Sequence, residues 1–225
     1  MKKRIAIIAS ALLALCLVVT GTIAYLTRTS ETVNNTFTVG NIEIELKEHK
    51  LADDGIAMVN QEVTANANYK LIPGRVASKD PFVRVKAGSE KCWIYVGVNE
   101  ENNEVRDPAV KVILWEPATG WSKVGTRVVD GVTYTVYGYQ TAIEAGANAA
   151  ADPVYFLKSG DSTINANGTV QVNPILDQAD FVVAPAQEGG QETALEPKLH
   201  FIAFAIQYEG LETSAQAAWT AAFPE

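Results

Sequence analysis

Any chemistry in this chain has to come from very few residues. Its 225 residues include only two histidines and two cysteines. Neither His49 nor His200 belongs to a His-Glu-x-x-His run, the helical spacing that lets two imidazoles grip one zinc ion. Glu45 stands four positions before His49, but in a strand that spacing puts them about 13 Å apart on one face, too far for a shared ion. No Gly-x-Ser-x-Gly turn presents a serine nucleophile. The partners of a Ser-His-Asp triad assemble in space, so spacing alone leaves a triad open. Cys92 is in phase with Ile94, Val96 and Val98, which puts its thiol on an apolar face as a packed, inert group. Two stretches carry oxygen ligands suited to calcium: Asp53-Asp54-Gly55, and Asp161 with Asn165 and Asn167-Gly168. The second has Thr163 where a calcium loop needs its first acidic ligand, so both read better as turns, Asn167-Gly168 as a type I′ turn. The expectation is no catalytic residue, no metal ligand set and no cofactor.

The aromatic residues offer a second kind of chemistry. Trp93 and Tyr95 project from the strand face opposite Cys92, and Tyr134 and Tyr139 flank a hairpin. Exposed, they would suit carbohydrate or a neighbouring subunit; as part of a covered sheet they are packing, which is the reading adopted.

The elements that would position these groups are mostly strands. Asn41–Lys47 alternates, with Ile42, Ile44 and Leu46 on one face and Glu43 and Glu45 on the other. Phe82–Lys86 and Cys92–Val98 are short strands joined through Ala87-Gly88-Ser89-Glu90, a predicted hairpin, and Val110–Trp115 is a further strand. Asp130-Gly131 and Asn167-Gly168 each predict a two-residue hairpin turn, and Ile72-Pro73-Gly74-Arg75 a turn with Pro and Gly at its centre. Leu199–Tyr208 is apolar on both faces, as a central strand is. Helix signals are few: Asn173-Pro174 before a short helix, a capping box at Thr141 and Glu144 before an Ala-rich stretch, and Ser214–Phe223 with Trp219 packed inward. Many short strands at this spacing predict an all-β fold, a β-sandwich with a few short helices, over residues 40–225.

Composition narrows the function classes. A hydrophobic content of 48% supports a packed core, and a net charge of −8 excludes a nucleic-acid-binding role, which needs a basic patch. Met1-Lys2-Lys3-Arg4 followed by a charge-free run from Ile5 to Leu26 has the form of a secretory signal. Thr22 and Ala24 supply the small residues at −3 and −1, so cleavage is expected between Ala24 and Tyr25, making residues 1–24 a signal peptide. The alternative is an uncleaved anchor, the only expected contact with a membrane. Cleavage leaves Cys92 as the sole cysteine, so no internal disulfide is expected.

Three blocks carry a family resemblance. Residues 20–46, TGTIAYLTRTSETVNNTFTVGNIEIEL, resemble the junction and mature start of proteins processed by SipW-type signal peptidases. Residues 71–98, with Pro-Gly, Lys-Asp-Pro and Val-Lys-Ala-Gly-Ser-Glu-x-Cys, and the later LHFIAFAIQYEG and AQAAWTAAF are similar to blocks of the TasA/camelysin-like family. The resemblance implies a jelly-roll-like sandwich and secretion, or display on the surface of a Gram-positive-type bacterium. It further implies a structural subunit of the surface or biofilm matrix. Such subunits assemble into fibres when the freed N-terminal arm of one copy adds to a sheet edge of the next. Here the arm is residues 25–39, with Tyr25, Leu26, Val33, Phe37 and Val39 as its apolar anchors. The partners expected are further copies of the chain or other matrix proteins, and a signal peptidase during export. A monomeric surface adhesion or binding module is the second reading, and a camelysin-type metalloprotease the third.

Overall fold

The structure, a computed structural model, describes residues 41–65, 69–106, 109–159, 167–183, 193–210 and 212–224, together with the backbone of 28–30. In chain order the first strands are β1 (Arg28–Ser30), β2 (Ile44–Leu51), β3 (Met58–Val63), β4 (Val76–Ser78), β5 (Phe82–Val85) and β6 (Cys92–Glu101). Next come β7 (Glu104–Val105), β8 (Val110–Lys111), β9 (Ile113–Leu114), β10 (Trp121–Val129), β11 (Val132–Tyr139) and β12 (Val154–Tyr155). Then follow β13 (Thr169–Val172), β14 (Val182–Val183), β15 (Thr193–Ala194), β16 (Lys198–Gln207) and the helix α1 (Ala215–Ala222).

The architecture is an all-β sandwich. One antiparallel sheet runs β1-β16-β6-β11-β10 and the other β12-β5-β2-β3. Between them Ile94, Val96 and Val98 of β6 and Ala203 and Ala205 of β16 pack against Ile44, Val83 and Val85. Cys92 lies in this core, as its phase predicted. The opposite face of β6 is covered too: Trp93 and Tyr95 lie under α1 in a second cluster with Phe204 and Trp219. Trp219 sits 5.1 Å from the Tyr95 ring, and the Tyr95 hydroxyl donates to the Ala215 carbonyl at 2.9 Å. Ser214 caps α1, its hydroxyl accepting from the Ala217 amide. The residues considered for ligand contact at Trp93 and Tyr95 are therefore packing, with 4% and 0% exposure.

Several local expectations hold. Asp130 (φ 51°) and Gly131 (φ 82°) form the left-handed pair that a two-residue hairpin between β10 and β11 requires. Gly74 (φ 76°) occupies the tight turn after Pro73, closed by the Arg75 amide donating to the Ile72 carbonyl at 2.9 Å.

Others are corrected. The turn at Gly88 forms, but β5 and β6 do not pair: β5 joins β2 and β12, while β6 lies between β16 and β11. A turn permits a hairpin but does not compel one, and two strands apolar on their inward faces gain more by facing each other across the core. Val110–Trp115 divides into β8 and β9, because Val112 turns wholly inward and its neighbours pair with different strands. Thr141–Ala151 forms no helix; Ile143 instead bridges Cys92, its amide donating to the Cys92 carbonyl at 2.7 Å. After Asn173-Pro174 the chain makes one 3-10 turn, Gln178–Phe181, capped by Asp177.

Asn167-Gly168 is not a type I′ turn. Gly168 lacks the positive φ that such a turn requires at both of its central residues, and Thr169 pairs with Ser78 of β4. Glycine is needed at 168 because the Lys79 carbonyl oxygen occupies the place of a side chain; the Gly168 carbonyl in turn accepts from the Lys79 amide at 3.1 Å.

Candidate functional site

Two features carry functional meaning: a sheet edge at β16 and a buried charge cluster beside it. β16 is ten residues long and pairs along its whole length with β6. On its other side β1 pairs with Ala203–Ala205, in register Arg28 to Ala205, Thr29 to Phe204 and Ser30 to Ala203. These three residues come from the arm predicted at 25–39, and they close the edge from the same chain. Among the described residues, the rest of β16's outer edge has no strand against it. An unpaired row of backbone donors and acceptors is a template for another strand. The opposite edge of this sheet is defended: β10 carries a register shift between Lys123 and Gly125 and exposed Lys123 and Arg127 is partly covered against Phe223. The anchors Tyr25, Leu26, Val33, Phe37 and Val39, and the Ala24–Tyr25 bond, lie outside the described residues.

The charge cluster was not foreseen. β2 keeps its alternation one step beyond the predicted strand, so Glu48 falls on the inward face after Ile42, Ile44 and Leu46 and is 5% exposed. A carboxylate there requires a partner, because burying an unpaired charge is prohibitive. Lys79 supplies it at 2.9 Å, with its ammonium also above the rings of Tyr69 (5.2 Å) and Phe201 (5.4 Å). The next residues pair in the same way. Asp80, 1% exposed, accepts the His49 amide at 2.9 Å and meets His49 Nδ1 at 2.8 Å. Two consecutive residues of β2 are thus joined to two consecutive residues between β4 and β5. The Tyr69 hydroxyl donates to the Ser78 carbonyl, and burial, then Glu48 and Asp80, push its ionisation upward. The available signals were Glu48 in phase with three aliphatic residues and the Lys79-Asp80 pair entering an apolar strand.

A metalloprotease would need a convergent donor set. Among the described residues no group of three His, Cys, Asp or Glu side chains is placed to hold a metal ion. His49 is engaged by Asp80 and His200 by Glu101 at 2.8 Å. Cys92 is buried, and burial pushes its thiol up to about 12, far from the thiolate a metal takes. Glu45 is bound to Arg84 at 2.6 Å. Among the described residues these groups do not form a zinc centre of that kind. Of the calcium candidates, Asp54 accepts the amides of Ile56 and Ala57, which hold its carboxyl below the ordinary range; it caps its own turn. Asp161 and Asn165 lie outside the described residues.

Fold and site together define a β-sandwich whose N-terminal arm supplies an edge strand. Residues 1–59 match the family model described as camelysin metallo-endopeptidase, so the TasA/camelysin-like resemblance is shown over this N-terminal stretch. No curated protein and no solved structure matches the chain significantly.

Proposed function

We propose that the protein is an exported structural subunit of a cell surface or extracellular matrix, released by cleavage after Ala24 and assembling through its N-terminal arm. The observation that supports this reading is the placement of Arg28–Ser30 on the outer edge of β16. The same antiparallel pairing made with a second copy is strand addition, in which main-chain hydrogen bonds supply affinity and alternate side chains supply selectivity. Because arm and edge are different surfaces, the contact is head-to-tail and does not close, which builds filaments. No peptidase activity is assigned, since the histidines and Cys92 are each committed elsewhere.

The test compares protein beginning at a native Tyr25 with the same protein carrying an extra N-terminal tag, by size-exclusion chromatography and negative-stain microscopy. Fibres are expected only from the native start. A variant lacking residues 25–39 should remain a folded monomer; fibres from that variant would overturn strand addition.

A further inference from the structure

A recess of about 230 Å³ opens at the sandwich end where β6, β8, β9 and β11 converge, lined by Asn99, Glu100, Trp115, Thr133, Thr135 and Tyr137. At ~30 Å³ per water it holds about eight waters, the room one sugar ring needs. Its floor is rigid. The Trp115 indole lies 5.8 Å from Phe156 and edge-on to Tyr137 at 5.9 Å, and its Nε1–H donates to Glu100 at 3.0 Å.

The charges in the recess are already matched. Glu100 accepts from Asn103 at 2.8 Å and pairs with Lys111 at 2.6 Å, and Lys111 also meets Glu104 at 2.7 Å. Neither a cation nor an anion finds an unanswered charge there. The groups left over are neutral. The Tyr137, Thr133 and Thr135 hydroxyls have no hydrogen-bond partner among the described residues, and Asn99 uses only its amide nitrogen, on the Thr133 carbonyl. Three hydroxyls that both donate and accept, a free amide oxygen and an aromatic wall match a ligand with hydroxyls on its rim and C–H groups on its faces.

We infer that this recess binds one neutral pyranose ring, as a residue of a polysaccharide. The site is separate from the β16 edge and does not depend on strand exchange. A single ring in a small open recess binds with a dissociation constant on the order of millimolar.

The test is saturation-transfer NMR on the full chain, held in a polyoxyethylene detergent free of sugar headgroups. The probes are methyl α-glucopyranoside, methyl β-galactopyranoside and N-acetylglucosamine. Transfer to the ring protons of at least one is expected, weakened about tenfold by Tyr137→Phe and, separately, by Thr135→Val, each removing one hydroxyl. Near-UV circular dichroism verifies that each variant is folded, and Thr135→Val decides if Tyr137→Phe is not. No transfer from any of the three sugars, or transfer undiminished in a folded variant, overturns the assignment.

Discussion

The Glu48–Lys79 pair offers the sharpest test of how the sandwich is held together. Its side chains are 7% and 10% exposed, and the charged atoms are 2.9 Å apart. Lys79→Met keeps the length of the side chain and removes the charge, which leaves the Glu48 carboxylate buried without its cation. Breaking a buried pair from one side costs about 3–5 kcal/mol, because the surviving charge stays desolvated. At about 2–4 °C per kcal/mol for a chain of this size, the melting temperature should fall by roughly 10 °C. Glu48→Leu should cost somewhat less, since the ammonium keeps the faces of Tyr69 and Phe201. The double variant Glu48→Leu/Lys79→Met removes both charges and keeps the volume, so it should lie within about 1 kcal/mol of the parent. Urea denaturation of the four proteins gives the coupling directly, provided the m-values agree. A double variant as unstable as the sum of the singles would refute the reasoning, and so would a Lys79→Met midpoint within error of the parent.

Three further outcomes are expected. Gly168→Ala should destabilise by about 1–3 kcal/mol in urea denaturation, because its methyl group must displace the Lys79 backbone carbonyl rather than a movable side chain. Glu62 is held down to about 2, against an ordinary value of 4.5, chiefly by its hydrogen bond from Arg84. A depressed carboxyl contributes stability that is complete above about pH 4.5 and is lost as the pH falls toward 2. Arg84→Met should therefore flatten the fall in melting temperature over that window while leaving its slope near neutrality unchanged. In a Cys16→Ser background, Cys92 should resist a thiol-reactive dye at pH 8 until denaturant is added, because its thiol is buried and pushed up to about 12; prompt labelling of the native protein would contradict its place in the core.

What could be read from the sequence was local. Asp130-Gly131 specifies its hairpin because two left-handed residues in succession suit one turn and almost nothing else. Ser214 starts the last helix because its hydroxyl answers an amide within the same turn. The alternation of Ile42, Ile44 and Leu46 marks a core face for the same reason of short range, and the phase of Cys92 places its thiol in the core. The absence of a zinc-protease spacing is likewise a property of neighbours in the chain, and of the blocks that carry the family resemblance, the one at residues 20–46 lies within the stretch matched at residues 1–59.

What the sequence left open depends on partners far along the chain. The Gly88 turn is visible in the residues, but whether β5 and β6 pair or face each other was decided by β16, whose Phe204 comes to lie opposite Tyr95. Asn167-Gly168 has the composition of a turn, yet its glycine is explained by a backbone carbonyl at Lys79. Glu48 lies on an aliphatic face with no neighbour in sequence to justify it, and only the approach of Lys79 makes its burial tolerable. The sugar-sized recess likewise gathers Glu100, Trp115 and Tyr137 from three separate segments. Turn chemistry, caps and strand phase are short-range energies and are written locally; strand partners, buried charge pairs and recesses arise from long-range contacts, so only the tertiary structure decides them.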